Sequence, residues 1–326
     1  ALFYGEEAVE GAADERALDL REEWRYWYPV TQRFSANDLI SNHLTFFLYH
    51  HAELFDEAQW PEGITIMGMG LLEGEKMSSS KGHVVLPGKA IEDYGADTVR
   101  FFLLNSAEPW QDYDWRAEQV EGVEDQLRRF WNRAQELIDD ETAAAADGVD
   151  LESDLEHIDR WLLSKLQSTI ADVTAALDNA ETRTASQAAF YGFEEHLKWY
   201  RRRADLDRPG AQWTLRHVLE TRLRLLAPFV PFMTNELHEQ LTGTPAEDAP
   251  WPEIDQRWES PRTETEERQI ERLAEDIQDI LTVTEQDPVT IRIYVAADWK
   301  REVFETIREV GTDVGQVMGE VMQDPN

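Results

Sequence analysis

Cysteine is absent from all 326 residues, which excludes structural disulfides and thiolate metal sites. This absence fits a reducing compartment, and we expect a cytoplasmic protein. No apolar run approaches the roughly 18 residues that a membrane-spanning helix needs. The first residues also lack the basic segment and apolar core of a signal peptide. The sequence therefore predicts no association with a membrane.

Basic residues are scarce as well, with 31 Lys+Arg against 66 Asp+Glu and a formal net charge of −35. The hydrophobic content of 42%, with 12 Trp and 13 Phe, is still enough to build folded cores. Such acidity is typical of adaptation to molar salt or of an ordinary acidic protein that avoids nucleic acid. The extreme excess of carboxylates favours salt adaptation. In molar salt the Debye length falls to about 3 Å, so the net charge does not exclude an RNA partner.

The first third of the chain alternates short strands with helices. Strands are predicted at 30–34 and 63–69, the second of them buried, with a helix at 37–55 between them. Two short helices are predicted within 88–104, separated at Gly95. This order of elements indicates an α/β fold for the region.

Beyond Pro109 the apolar residues recur at helical spacing, which is typical of a helical bundle. The predicted helices are 117–138, 155–178, 182–204 and 212–241. A Pro/Glu/Thr-rich segment then leads to a further helix, strand and helix, predicted at 266–284, at 289–296 and from Lys300. These last elements are too few for a complete domain, and we expect a truncated α/β unit.

Residues 74–83, GEKMSSSKGH, hold two of the six lysines of the chain in one short loop flanked by glycines. Lysine ammonium groups and serine hydroxyls can donate hydrogen bonds to a polyphosphate, and glycines let a loop close over a ligand. The loop lacks the G-x-x-x-x-G-K-S/T pattern of a Walker phosphate loop. A solvated surface turn is the alternative, but a position at the end of a buried strand favours a ligand site.

GEKMSSSKGHVV resembles the KMSKS motif of class I aminoacyl-tRNA synthetases, and further segments support the resemblance in the family's order. Residues 24–47 and 112–116 resemble the archaeal-type leucyl enzymes, and 94–104 resembles the Gly-Ala-Asp-x-x-Arg segment that follows the motif. Residues 226–237 resemble a bundle helix shared by the leucyl, isoleucyl, valyl and methionyl enzymes. The resemblance spans nearly the whole chain and implies a fragment downstream of the editing insertion.

The resemblance implies that the loop binds ATP and stabilises the transition state of adenylate formation. Lys76 and Lys81 match motif lysines and would act catalytically, whereas Ser79 stands where the family usually has its second lysine. The other residues that would contact ATP are Met77, Ser78, Ser79, Ser80, Asp38, Asn42 and His43. For Asp38 and Asn42, a helix cap and a surface amide are the alternative. Mg²⁺ would accompany ATP, and we expect no metal site built from protein side chains.

Cationic side chains with aromatic neighbours mark the bundle as a candidate RNA-binding surface. The predicted tRNA contacts are Arg128, Arg129, Arg133, Lys198, Arg201, Arg202 and Arg203. The alternative is that these cations pair with the abundant carboxylates of the same chain. Asp97 and Arg100, one helical turn apart, are predicted to form an ion pair and to hold the loop region against the bundle.

These features predict an α/β plus all-α fold, with the C-terminal half of a Rossmann-like catalytic domain, an α-helical bundle and the start of a small α/β C-terminal domain. The predicted regions are 1–63 for the catalytic half-domain, 64–116 for the KMSKS loop and stem-contact region, 117–243 for the bundle, 244–265 for a linker and 266–326 for the truncated C-terminal domain. The implied enzyme acts as a monomer on leucine, ATP and tRNA(Leu).

The family's second motif, His-x-Gly-His, does not occur in this sequence. We therefore expect the isolated chain to be inactive in adenylate formation. Two alternatives stay open at this point: an isoleucyl, valyl or methionyl enzyme, and a non-catalytic tRNA-binding relative.

Overall fold

In a computed structural model the chain folds as two units, Ala1–Arg268 and Gln269–Asn326. The structure describes residues 2–5, 10–11, 14–78, 82–140, 148–284, 288, 290–311 and 314–321. Within these residues, no helix is long and apolar enough to cross a membrane.

The first unit begins with helix α1 (Glu15–Trp27), which starts at Asp14, whose carboxylate accepts the N–H of Arg16. Strands β1 (Arg33–Ala36) and β2 (Ile64–Met67) then pair in parallel. The predicted strand at 30–34 therefore lies about three residues further on. β2 is half-exposed rather than buried, because only β1 pairs with it within the described residues.

The predicted helix at 37–55 is confirmed, but its first turns are not α-helical. It comprises a 3₁₀ turn (Asn37–Leu39), a π-helical turn (Ile40–Leu44) and helix α2 (Thr45–Leu54). Single π turns within helices are frequent at functional sites.

A hairpin precedes the lysine-containing loop, which corrects the expectation that the loop leaves a buried strand. Strand β3 (Gly70–Leu72) pairs with β4 (Glu75–Lys76) in antiparallel orientation and with β5 (Tyr113–Trp115) in parallel orientation. Lys76 is therefore the last residue of a strand, on the outer edge of a three-stranded sheet.

Helices α3 (Pro87–Tyr94) and α4 (Ala96–Ser106) are separated at Gly95 as predicted. Gly95 has φ 84°, a conformation that glycine adopts without the steric cost that a Cβ brings.

The predicted Asp97–Arg100 ion pair is wrong, because both side chains bond to a corner of the bundle instead. Asp97 accepts the backbone N–H of Met233 at 2.7 Å and of Phe232 at 3.3 Å, and Arg100 Nη2 donates to the carbonyl of Pro228 at 2.8 Å. A carboxylate is stabilised at a helix N-terminus because the N–H groups there lack partners within the helix. The loop region is thus attached to the bundle, as expected, through backbone contacts.

Within the described residues, the bundle consists of six α-helices with one π-helical segment (Gln187–Gly192) between α7 and α8. The helices are α5 (Ala117–Asp139), α6 (His157–Asp178), α7 (Thr182–Ser186), α8 (Phe193–Arg203), α9 (Pro209–Leu226) and α10 (Pro231–Thr242). The single helix predicted at 212–241 is therefore wrong, since α9 and α10 are separate. Pro228 and Pro231 lack the backbone N–H that a continuous helix requires, which breaks the segment between them.

The segment after α10 packs against the bundle. Trp258 is buried with Leu155 and Leu163, and Glu264, near the start of helix α11 (Pro261–Thr284), pairs with Lys165 at 2.5 Å. These contacts fix the beginning of α11 within the first unit.

The second unit contains the end of α11 and helices α12 (Asp298–Val310) and α13 (Val314–Val321). The strand predicted at 289–296 is wrong for the residues described there, since 290–296 are exposed and form no ladder. A strand needs a partner for its backbone groups, and the described part of this unit offers none.

Candidate functional site

A pair of backbone hydrogen bonds closes the base of the lysine-containing loop. The N–H of Ser78 donates to the carbonyl of His83 at 2.7 Å, and the N–H of His83 donates back at 3.1 Å. The Nε2 of His83 lies 2.9 Å from the carbonyl of Leu72 on β3. Ser79, Ser80 and Lys81 lie outside the described residues. The described part therefore holds both ends of the loop against the hairpin, with Lys76 exposed beside them.

Strand β5 supports the hairpin from the other side through Asp114. Its carboxylate accepts the N–H of Gly74 at 2.8 Å and pairs with Arg116 at 2.7 Å. These two contacts hold the pKa of Asp114 below its ordinary value. Gly74 has φ 81°, so Asp114 fixes the turn residue that lets the chain reverse before Lys76.

Asp112 makes a second contact of this kind, because its carboxylate accepts the N–H of Met69 at 2.7 Å. The sheet is also closely packed, since a Cβ on Gly68 would lie 2.1 Å from the carbonyl oxygen of Gln111. Neither aspartate was among the site residues predicted from the sequence. Their hydrogen bonds join residues about 40 apart in sequence, so no local pattern signals them.

The second predicted ATP-contacting segment begins the 37–54 helix, where all three candidate side chains are exposed. The Asn42 amide donates to the backbone carbonyl of Asp38 at 3.4 Å, and its oxygen accepts the N–H of His43. His43 Nε2 lies 3.4 Å from Nη2 of Arg33. Asp38 and Asn42 are thus close together, as predicted. In the part of the chain that the structure describes, no hydrogen bond or ion pair joins this segment to residues 74–77 or 82–83.

Most of the predicted RNA-contacting cations bond within the chain. Arg128 pairs with Glu124 at 2.6 Å and Lys198 with Glu195 at 2.6 Å, while both Arg133 and Arg201 contact Glu194. Internal pairing, the alternative raised by the composition, therefore describes these four side chains.

The remaining three cations differ in their surroundings. Arg203 pairs at 2.8 Å with Glu267, a buried carboxylate that also accepts Nε1 of Trp199 at 2.8 Å. Arg202 lies over the ring of Trp199, 5.3 Å from its centroid. Arg129 is exposed and has no carboxylate partner in the part of the chain that the structure describes.

No group of three or more histidine, aspartate or glutamate side chains within the described ranges could hold a metal ion.

Two protein families match the chain in the order of its regions. Residues 10–132 match the family described as "tRNA synthetases class I (M)", and residues 159–294 match the "Anticodon-binding domain of tRNA ligase". The hairpin with its loop and the helical bundle thus define a segment of a class I tRNA synthetase.

Solved structures show the same fold at low sequence identity. A leucyl-tRNA synthetase of Agrobacterium radiobacter K84, solved as a ternary complex with tRNA and LeuAMS, has a TM-score of 0.58 and 20% identity, covering 79% of this chain and 32% of that one. A methionyl-tRNA synthetase of Mycobacterium tuberculosis, solved with methionyl-adenylate, has a TM-score of 0.55 and 21% identity, covering 66% of this chain and 45% of that one.

The relatives found by sequence identify the family of this chain more closely than these solved structures do. The leucine–tRNA ligases of Methanopyrus kandleri, Methanothermobacter thermautotrophicus and Pyrococcus abyssi are each 40% identical over 99%, 93% and 94% of this chain. The chain belongs to the leucine–tRNA ligase family, which confirms the predicted membership of the leucyl branch. It spans about a third of the length of these relatives, covering 34%, 33% and 31% of them.

Proposed function

We propose that this chain supplies the ATP-contacting loop and the tRNA-binding bundle of an enzyme that joins leucine to tRNA(Leu). The observation that carries the proposal is the β3–β4 hairpin, which presents Lys76 beside a loop closed by Ser78 and His83. The identity of 40% to leucine–tRNA ligases over nearly the whole chain supports leucine over isoleucine, valine or methionine.

In the first step, a carboxylate oxygen of leucine attacks the α-phosphorus of ATP. The bond to the β-phosphate oxygen breaks, and pyrophosphate leaves with the electron pair. Lys76 and Lys81 would stabilise the charge that develops on the leaving phosphates, an effect of about 3–4 kcal/mol for one well-placed donor. The leucyl group then passes to a hydroxyl at the 3′ end of the tRNA, and AMP leaves.

The other loop residues would position the nucleotide. Met77 and the serines at 78–80 would contact the phosphates or the base, and Ser79 leaves the loop with one cation fewer than its relatives. At the start of the 37–54 helix, Asp38 and Asn42 offer oxygen and amide groups that could bond the ribose hydroxyls, with His43 next to them.

We further infer that the enzyme is a cytoplasmic monomer of a salt-adapted organism. The lack of cysteine in this chain supports a reducing compartment, and the net charge of −35 of this chain supports salt adaptation. Mg²⁺ would accompany ATP as a counter-ion of the triphosphate.

The test is amino-acid-dependent ATP–pyrophosphate exchange by the full-length enzyme that contains this segment. We expect exchange with leucine and at least about a hundredfold less with isoleucine, valine or methionine. Preference for another amino acid would contradict the proposed substrate. The isolated 326-residue chain should show no exchange, and turnover by it would contradict its assignment as half of a site.

A further inference from the structure

Side chains from two facing helical segments line a cleft of 220 Å³ on the bundle. Gln126, Arg129 and Arg133 follow one face of α5, because residues three or four apart share a helix face. Tyr191 and Lys198 line the opposite wall, which runs from the π-helical segment into α8. The cleft is therefore built from regular elements.

Cations outnumber carboxylates around this cleft, although Asp and Glu outnumber Lys and Arg by 66 to 31 in the chain. The carboxylates are Glu194 and Glu195. The cations that line it are Arg129, Arg133 and Lys198. The lining therefore carries one positive charge more than its two carboxylates neutralise, so the cleft attracts an anion.

Glu194 holds part of this cationic group in place. It pairs with Arg133, lies 3.5 Å from Nη1 of Arg201 and lies 3.6 Å from Nη1 of Arg222. Arg222 is buried against the ring of Phe130, 5.2 Å from its centroid. Burial lowers the pKa of Arg222 to about 10, so Arg222 stays protonated at neutral pH and fixes Glu194 from inside.

The cleft offers charge more than stacking surface. Phe130 and Phe190 are buried against each other, with ring centroids 5.7 Å apart, so their faces are not open to a nucleobase. The Tyr191 hydroxyl already donates to Oε1 of Gln126 at 2.5 Å. A phosphate therefore suits the cleft better than a base does.

We propose that this cleft binds one phosphodiester of an RNA backbone, with Arg129 as the principal ligand and Arg133 and Lys198 beside it. The inference rests on the proposed function, since the RNA is the tRNA that the ligase would charge. Arg129 is exposed and forms no ion pair among the described residues, so its planar guanidinium can offer two parallel N–H donors to one phosphate. Arg133 and Lys198 each hold a glutamate and add charge at the rim.

The test compares Arg129→Ala with Arg262→Ala in the 326-residue chain, with the Kd for a tRNA(Leu) transcript at fixed salt as the readout. Arg262 is an exposed arginine that pairs with Glu266 and lines no part of the cleft. We expect Arg129→Ala to weaken binding about tenfold, because it removes charge-assisted hydrogen bonds. Arg262→Ala removes the same charge and should leave the Kd within about twofold.

A third variant, Arg128→Ala, compares the contributions of two adjacent arginines on α5 to RNA binding. Arg128 is already held by Glu124 and Asp125, at 2.6 and 3.3 Å. Arg128→Ala should therefore weaken binding less than Arg129→Ala does. Both arginines are exposed, so their replacement should leave the melting temperature unchanged within a few degrees.

Two further readouts identify the ligand as a phosphodiester. The slope of log Kd against log salt concentration should fall by about one in Arg129→Ala. The loss of affinity should also be the same for an unrelated tRNA, because a backbone contact carries no base information.

A Kd for Arg129→Ala equal to that of Arg262→Ala, or a loss confined to tRNA(Leu), would overturn the phosphodiester site and leave the proposed ligase intact. Failure of the unsubstituted chain to bind any tRNA would overturn both this site and the RNA-binding role of the bundle. The ATP-contacting role would then still be decided separately, by pyrophosphate exchange.

Discussion

Residues 14–76 and the bundle bury their apolar side chains to different degrees. On α2, Phe46 and Tyr49 are 64% and 73% exposed, whereas Leu162 and Leu163 on α6 are fully buried at 0%. A two-stranded sheet covers little apolar surface, while helices with wide apolar stripes close a core among themselves. The comparison teaches that the bundle carries most of the stability and that the proposed chemistry lies on the more exposed region.

The two regions also use carboxylates differently. Asp159 in the bundle is buried and accepts hydrogen bonds from Tyr200 and Arg208, whereas Asp114 beside the hairpin is half-exposed and holds the backbone of Gly74. One carboxylate joins helices, and the other sets the shape of a loop. Substitution of Asp159 should therefore change the free energy of unfolding, and substitution of Asp114 should change the rate of pyrophosphate exchange.

The largest expected effect is on the stability of the bundle. Asp159→Ala leaves Arg208 and the Tyr200 hydroxyl without a buried partner, so we expect the free energy of unfolding of the chain to fall by about 3–5 kcal/mol. Urea unfolding followed by far-UV circular dichroism measures it. Asp172→Ala, an exposed substitution on the same helix, serves as the control and should change stability by less than about 0.5 kcal/mol. Equal losses for the two variants would remove the special role of Asp159.

The next largest expected effect is on the rate of pyrophosphate exchange, through the lysine-containing loop. Lys81→Ala in the full-length enzyme should lower the rate of leucine-dependent pyrophosphate exchange by about 10²–10³, because a donor to the leaving phosphates is lost. Lys89→Ala is the matched control, since Lys89 is exposed and pairs with Asp93 on α3. A wild-type rate for Lys81→Ala would exclude Lys81 from the chemistry.

A smaller effect should follow from loosening the hairpin. Asp114→Ala removes the acceptor of the Gly74 N–H, so we expect the exchange rate to fall roughly tenfold through misplacement of Lys76. Asp114→Asn keeps an oxygen acceptor and should recover part of the rate. A loss that appears in the KM for leucine alone, with kcat unchanged, would argue against a positioning role.

The smallest effect is a pH dependence at the start of α11. Burial raises the pKa of Glu264, but hydrogen bonds from Lys165 and Ser164 outweigh burial and lower it below the ordinary 4.5. The carboxylate therefore stabilises the fold fully above about pH 4.5, and this contribution is lost as the pH falls through the lowered pKa. Glu264→Gln should make the melting temperature fall less between pH 5 and pH 3 than it does in the unsubstituted chain. Glu259→Gln, an exposed change, should leave that acid dependence as it is.

Sequence periodicity predicted the bundle well because an amphipathic helix is a local pattern. It failed at 212–241, where two prolines outweigh a continuous apolar stripe. It also failed at 289–296, where β-branched residues favour a strand that finds no partner within the described residues.

At the candidate site, the motif resemblance identified the loop but not what holds it. Asp114 and Gly74 are 40 residues apart in sequence, and no local pattern signals their hydrogen bond. The contact of Asp97 with the start of α10 was missed for the same reason, since its partners are more than 130 residues away.

The central claim is that the hairpin serves the ATP chemistry and the bundle serves RNA binding. The most direct test compares the pyrophosphate exchange rates of the Lys76→Ala and Lys89→Ala enzymes. The Kd for tRNA(Leu) is measured on the same samples. The account predicts a fall in exchange of about 10²–10³ and a Kd that stays within about twofold, because no RNA contact is removed. An unchanged exchange rate, or a Kd that weakens in parallel with the rate, would contradict it.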